Sequence, residues 1–227
     1  MQAHRPMDSV RFIHRVLRTM LNGMEQTAAN ADYANDQQVG AIAGQFQGVN
    51  MMLGEHIKQE DELIFPSLEK RVREVIPSYS ADHTQDRELL TKMGGLLADL
   101  PKTPAAQRGA LGKQAYRTAV VINCTSDHHM QKEEAIVYPL INKHVGDDEQ
   151  WAIIRQLYAR LPVQMFPMAM PGMMRLLDQE EREEQVRDFM KAMTPETFKA
   201  AIAHAPKGMS PAEWSDLQRR IPELGRV

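Results

Sequence analysis

The chain has 227 residues, of which 43% are hydrophobic and 25% charged, a composition typical of globular proteins with a buried core. The net charge of −3 lacks the basic excess of nucleic-acid-binding domains, so we expect no nucleic-acid partner. No apolar run approaches the length of a membrane span, and residues 1–13 lack the apolar core of a signal peptide. The single cysteine excludes an internal disulfide, and a reducing cytoplasmic location is the simplest interpretation.

Residue content and periodicity predict an all-α protein. Met, Ala, Leu, Gln and Glu are frequent and favour helices, whereas alternating β-branched runs are nearly absent. Amphipathic segments are predicted over 9–30, 35–75, 80–100 and 105–145, with Ser80 as the cap of the third. Two long and two shorter helices with short connections favour an antiparallel four-helix bundle, which we assign to residues 1–145.

Residues 146–227 are predicted to form a helical C-terminal extension. Helices are expected over 150–161 and 178–193, with two short pieces after Thr194 and Ser210. Residues 165–174 are rich in Met, Pro and Gly, which predicts a joint between helices. Thioether side chains fill irregular gaps in a core well, and we favour that role over metal binding here.

Two segments share the pattern His-x3-Glu-x4-aromatic-Pro. The matched residues are His56, Glu60, Phe65 and Pro66 in the first copy and His129, Glu133, Tyr138 and Pro139 in the second. Because residues four apart lie on one face of a helix, each His projects the same way as its Glu. The prolines are expected to kink or end their helices.

Both copies continue the apolar stripe of their helix. The spacing places Leu63 on the stripe of the first copy, and Ile136 and Leu140 on that of the second. An ionised Glu on a core stripe is costly unless it is paired or bound to metal. Imidazole and carboxylate ligands suit divalent first-row metals, iron among them, and carboxylate-rich bundles hold two metals in this way.

The two shorter helices each offer one further histidine on an apolar stripe. The predicted metal ligands are therefore His14, His56, Glu60, His83, His129 and Glu133. The residues placed on the solvated face are Glu55, Asp61, Glu62, Asp127, His128 and Glu134. For Asp127 and Glu134 the alternative is a partner that orients an imidazole. Cys124 lies off the ligand face and is interpreted as a small apolar residue.

This set of residues resembles the hemerythrin-like, or HHE cation-binding, family over residues 8–145. The resemblance implies a four-helix bundle with a non-haem di-iron centre, in which two glutamates bridge the irons, with an oxo or hydroxo bridge, and histidines complete the coordination. Manganese or zinc is an alternative occupant of such ligands. In the oxygen carriers of the family, a second histidine follows on the third helix and an aspartate stands on the fourth. Here the corresponding residues are Arg87 and Glu133.

The missing histidine leaves two interpretations of Arg87: it borders an open coordination position, or it pairs with a surface acid. The set is more similar to the HHE domains of iron- and oxygen-sensing ubiquitin ligases and of bacterial stress-related proteins. That similarity implies a protein that binds, senses or detoxifies O2, NO or peroxide, as a di-iron oxidoreductase if it is an enzyme. The alternatives are an oxidase or oxygenase of an organic substrate and a metal-stabilised interaction module.

Overall fold

The computed structural model describes residues 5–226, and for Arg226 only the backbone. Within this range every regular element is helical, which confirms the all-α prediction. The α-helices are α1 (Arg11–Asn30), α2 (Asp36–Gln59), α3 (Phe65–Glu69), α4 (Ile76–Asp99), α5 (Gly109–Lys132), α6 (Tyr138–His144), α7 (Asp147–Arg160), α8 (Phe166–Leu176), α9 (Gln179–Ala192), α10 (Pro195–Ile202) and α11 (Pro211–Arg220). Short 3-10 helices cover Pro6–Val10, Leu100–Lys102, Ala105–Gln107, Val163–Met165, Ala205–Gly208 and Pro222–Arg226.

Several helices begin at side chains that cap the free backbone N–H groups of the first turn. The Asn35 side chain accepts hydrogen bonds from the backbone of Gln37 and Gln38 at the start of α2. Asp178 and Glu181 form a capping box at the start of α9, close to the predicted helix start. Helix α4 begins at Ile76, so the prediction of Ser80 as its cap is wrong: the helix starts one turn earlier, with Pro77 in its first turn.

Two π-helical segments interrupt the long helices at the repeated motif. Glu60–Ile64 joins α2 to α3, and Glu133–Val137 joins α5 to α6. Pro66 and Pro139 are the second residues of α3 and α6, where a missing backbone N–H is tolerated. The predicted interruption of each helix therefore falls on a five-residue segment that ends two positions before the proline, not at the proline itself.

The π-helical segments also change which residues face the core. A π-helical turn contains one residue more than an α-helical turn, so the buried face moves along the chain by one position. After Glu133 the buried residues are Val137 and Ile141, whereas Ile136 is 45% exposed and Leu140 half-buried. In the first copy Ile64 is buried in the same way and Leu63 is only half-buried. The placement of Leu63, Ile136 and Leu140 on the core stripe was therefore wrong.

The chain forms two compact units, and the first is Leu17–Val137. It contains most of α1 together with α2, α4 and α5, the four long helices of the predicted bundle. On α4 and α5, Asp82 pairs with Lys132 and Asp86 accepts a hydrogen bond from Ser126. Because the partner number falls as the residue number rises, these helices run antiparallel. Arg18 with Asp127 and Asn22 with Asn123 show the same for α1 and α5.

The second unit consists of Met1–Val16 and Tyr138–Val227. Within it, the Met7 backbone N–H donates to Gln150 at 3.2 Å and Arg5 pairs with Asp147 at 2.6 Å. The predicted boundary between the bundle domain and the C-terminal extension, at residue 146, stays a prediction. The joint predicted over 165–174 was wrong, because α8 runs through these residues and includes Pro171. Met170 and Met174 lie in the core, as expected of gap-filling thioethers.

Candidate metal centre

The two repeated glutamates lie at the first residue of their π-helical segments and are completely buried. Glu60 and Glu133 both have 0% exposure, and both belong to the Leu17–Val137 unit. A carboxylate in this environment costs free energy unless cations or hydrogen-bond donors compensate its charge. What surrounds the two carboxylates therefore indicates what the site holds.

Three histidines from three helices surround the carboxylates. His56 Nε2 lies 3.2 Å from Glu60 Oε2, and His83 Nε2 lies 3.3 Å from the same oxygen. His83 Nε2 is also 3.6 Å from Glu133 Oε1, and His129 Nε2 is 3.7 Å from Glu133 Oε2. The His56 and His129 rings are parallel, with centroids 6.4 Å apart. Within the Leu17–Val137 unit the structure thus brings together all five of the predicted ligands that belong to it.

The donor atoms of this cluster fit a metal ion. One ligand atom from each of Glu60, His83, His129 and Glu133 lies within 4.8 Å of all the others, and all four residues are buried. Two carboxylates and two imidazoles form a ligand set that suits divalent first-row metals. Their convergence in the interior supplies the negative charge that a divalent cation would compensate.

Two aspartates contact the Nδ1 atoms of two of these histidines, whose Nε2 atoms lie near the glutamates. His83 Nδ1 lies 2.8 Å from Asp61 Oδ1, and His129 Nδ1 lies 2.8 Å from Asp86 Oδ2. Metal-binding histidines commonly donate the second ring N–H to a carboxylate, which leaves Nε2 for the metal. Asp61 was among the acids predicted on the solvated face, and Asp86 was not among the predicted site residues. The signal was present, since Asp86 follows His83 by three residues on the same helix.

The alternative orienting residues named from the sequence have another role. Arg18 donates from Nε to Asp127 at 2.6 Å and from Nη1 to Glu134 at 2.7 Å. This half-buried arrangement ties α1 to α5 and to the π-helical segment that follows α5. His128 is exposed, as predicted for the solvated face. Cys124 is exposed as well, so its interpretation as a packed apolar residue was wrong.

His14 belongs to the other unit, and its role as a metal ligand stays a prediction. It is completely buried, and its ring stacks on that of Tyr138, with centroids 5.7 Å apart. The Tyr138 hydroxyl lies 3.1 Å from His14 Nε2. In the Leu17–Val137 unit the corresponding aromatic, Phe65, stacks on His83 with centroids 5.1 Å apart. Each copy of the motif therefore packs its aromatic residue against a histidine of a helix that lacks the motif, namely α1 or α4.

Arg87, one turn after His83, forms an ion pair with Asp61. Of the two interpretations of this residue, pairing with an acid is the one that the contacts support. Asp61 also contacts His83. Arg87, Asp61 and His83 therefore form a continuous series of contacts from a partly exposed guanidinium to the buried cluster.

The carboxylates strongly alter the pKa values of the two aspartate-bound histidines. Burial alone lowers the pKa of His83, but hydrogen bonding to Glu133 and Glu60 outweighs it and raises the pKa to about 10. Burial also lowers the pKa of His129, and Asp86 and Glu133 raise it by a larger amount. In the metal-free protein His83 therefore holds its proton at neutral pH, and the raised pKa of His129 favours its protonated form as well. A metal ion must displace those protons to bind.

Comparisons with known proteins identify the family to which the chain belongs. The model of the hemerythrin HHE cation binding domain matches residues 5–141, and the chain belongs to this family. It is 26% identical over 187 residues to a zinc finger protein BRUTUS-like of Arabidopsis thaliana, covering 81% of this chain and 15% of that protein. Zinc finger protein BRUTUS of the same plant is 22% identical over 184 residues, covering 81% of this chain and 14% of that protein. The chain thus spans about one seventh of the length of these relatives. No solved structure matches it.

Together, family membership and the buried His–Glu cluster support metal binding by a hemerythrin-type helical protein. Among the described residues, no helix is both long enough and apolar enough to cross a lipid bilayer.

Proposed function

We propose that this protein binds two iron ions at the His–Glu cluster and that the loaded centre binds a small oxidant, namely O2, NO or peroxide. The observation that supports this best is the environment of Glu60 and Glu133. Both carboxylates are fully buried, and each lies within 3.7 Å of histidines from two different helices. A carboxylate placed between ligands of different helices is suited to bridge two ions.

Each residue of the cluster has a defined role in this proposal. Glu60 and Glu133 would be shared between the two ions, His56, His83 and His129 would complete their ligands, and His14 stays a ligand predicted from the sequence alone. When bound, the iron ions supply electrons and a coordination position for a small ligand. The surrounding helices exclude bulk water, and Asp61 and Asp86 keep the Nε2 atoms of His83 and His129 directed at the carboxylates.

The first test is metal stoichiometry combined with optical spectroscopy. Chelator-treated protein is loaded with Fe(II) under anaerobic conditions, freed of excess metal, and then exposed separately to O2, NO and peroxide. We expect two iron ions per chain and a new absorption band with at least one of the oxidants. The zinc-loaded protein is the control, because zinc has no redox chemistry. One iron or none per chain, or an iron centre whose spectrum no oxidant changes, contradicts the proposal.

A second candidate is a module whose fold depends on metal and which presents a partner-binding surface only when loaded. It is favoured by the origin of the ligands, since α2, α4 and α5 each contribute a histidine and metal binding would tie the three helices together. Two iron ions that raise the melting temperature strongly but do not react with any oxidant would support this function over the first.

A further inference from the structure

We propose that Asp61 and Asp86 are positioning residues that hold His83 and His129 in the tautomer required for metal binding, and that Arg87 weakens this effect at Asp61. The inference rests on the metal-binding part of the proposed function and is independent of the oxidant. It assigns a role to three residues outside the predicted ligand set.

Asp86 contacts His129 from a position in the protein interior. It is 1% exposed, and its Oδ1 accepts hydrogen bonds of 3.2 Å from the hydroxyls of Ser126 and Thr125. These two donors leave Oδ2 facing His129 Nδ1 at 2.8 Å, a charge contact that lacks hydrogen-bond geometry. Both supporting groups are uncharged, so the negative charge of Asp86 acts on the imidazole with little screening. Of the two aspartate contacts, it is the more deeply buried and the less screened by solvent.

Asp61 contacts His83 from a partly exposed position. Its side chain is 27% exposed, and it divides its oxygens between His83 and the partly exposed guanidinium of Arg87. The positive charge of Arg87 offsets part of the charge that would otherwise act on His83. Because the Asp61–Arg87 pair is partly exposed to solvent, dissolved salt weakens it. The Asp61 contact is therefore more screened than that of Asp86, and it depends on ionic strength.

Replacing either aspartate with asparagine changes the tautomer of its histidine. A carboxylate only accepts hydrogen bonds and therefore fixes the proton on Nδ1, whereas an amide also offers an N–H₂ donor. With that donor facing Nδ1, the imidazole proton moves to Nε2 and blocks the atom that binds metal. Loss of such an orienting partner typically weakens metal binding by about 10- to 100-fold. We expect Asp86→Asn to lie near the upper end of this range and Asp61→Asn near the lower end.

The chain offers a matched control on α4. Asp82 is 26% exposed and pairs with Lys132, as Asp61 is 27% exposed and pairs with Arg87. Asp82→Asn removes the same charge from a similar environment, but its ion-pair partner is Lys132 and not a ligand histidine. Zn²⁺ dissociation constants are measured for the wild type and the three Asn variants by competition with a chromophoric chelator. The ¹⁵N chemical shifts of the histidine rings in the zinc-loaded proteins then report which ring nitrogen binds the metal and which carries the proton.

The expected result is weaker Zn²⁺ binding in the order Asp86→Asn, Asp61→Asn, Asp82→Asn, with the last close to wild type. Arg87→Gln should bind Zn²⁺ at least as tightly as wild type at low salt and lose part of the wild-type salt dependence. A change of ring tautomer must accompany the loss of affinity in the first two variants. Circular dichroism checks folding, and if Asp86→Asn does not fold, the partly exposed Asp61→Asn carries the same test.

Two outcomes would overturn the inference. One is Asp61→Asn and Asp86→Asn proteins that bind Zn²⁺ as Asp82→Asn does. The other is an affinity loss without any change of tautomer, which would indicate a merely structural effect. A wild-type protein that fails to bind metal would instead refute the metal-binding function itself, so the two failures are distinguishable.

Discussion

The two copies of the His-x3-Glu motif share a backbone structure but differ in what surrounds it. Each begins a π-helical segment at a fully buried glutamate. The next residue is Asp61 in one copy and Glu134 in the other, and their partners differ. Asp61 reaches His83, whereas Glu134 binds Arg18. The histidine of the second copy, His129, is oriented by Asp86, which comes from α4. Repeated sequence therefore does not mean repeated surroundings.

The aromatic residues of the two copies differ in a single oxygen atom. Phe65 stacks on His83 within the Leu17–Val137 unit, and Tyr138 stacks on His14 within the other unit. Only the tyrosine has a hydroxyl, which lies 3.1 Å from His14 Nε2. Both copies therefore share the buried glutamate and its π-helical segment, whereas the surroundings of the aromatic residue are specific to each copy.

The largest effect should come from the residues that the copies share most closely. Glu60→Gln and Glu133→Gln each remove one of the carboxylates proposed to bridge the metals while preserving size. Both should lose most of both metals, a larger loss than the about 10- to 100-fold expected for a residue that only orients a ligand. Metal content after gel filtration measures this. Glu62→Gln, at an exposed position of the same segment, is the control. If either variant keeps one full equivalent at wild-type affinity, that glutamate is not a bridge.

A smaller effect should follow from removing the π-helical geometry from one copy at a time. Glu62 and Ala135 occupy the same position of the two segments, and both are exposed. Deleting either residue converts the segment towards a regular α-helix and keeps the faces on both sides in register. We expect folded proteins with weaker metal binding than wild type, because the glutamate at the start of the segment shifts. Equal metal affinity in the two deletion variants and the wild type would show that the π-helical geometry is irrelevant to the site.

The stability of the metal-free protein and the increase in stability that metal confers should change with pH in opposite directions. The pKa of His83 is raised from 6.5 to about 10 without metal, so its protonated form stabilises the fold. That stabilisation is complete below pH 6.5 and is lost as the pH rises through about 10. Metal competes with the same protons, so the increase in stability that metal confers grows as the pH rises.

Denaturant unfolding between pH 6.5 and 9.5, with chelator or with sub-saturating Zn²⁺, measures both trends. The free energy of unfolding should fall with pH in chelator, and the difference between the two conditions should widen. A difference that stays constant over this range would show that the imidazoles do not release protons when metal binds.

The smallest effects should come from exchanging the aromatic residues. Tyr138→Phe removes one hydrogen bond and should cost about 0.5–1.5 kcal/mol in the free energy of unfolding. Phe65→Tyr adds a hydroxyl beside His83 in a fully packed site and should cost about 1–3 kcal/mol if that hydroxyl finds no partner. Both are measured by denaturant unfolding in chelator. A Phe65→Tyr protein as stable as wild type would indicate that the two aromatic sites are equivalent.

The sequence alone determined the helical class, the approximate extent of the four long helices and the candidate ligands. The reason is local: a period near 3.6 places residues four apart on one face, so His56 with Glu60 and His129 with Glu133 were recognisable from spacing. The capping residue Asp178 and the C-terminal helices after Thr194 and Ser210 were predictable for the same reason, because capping depends on near neighbours.

Tertiary structure decided the features that depend on residues far apart in the chain. The contact of Asp61 with His83 joins residues 22 apart, and nothing in the local pattern distinguishes Asp61 from its solvated neighbours. Likewise, Arg18 forms ion pairs with Asp127 and Glu134, which lie more than 100 residues further along the chain. The π-helical segments moved the buried face by one position, from Ile136 to Val137. Helical periodicity does not encode such an insertion, because the segment forms where packing and buried charge outweigh regular α-helical hydrogen bonding.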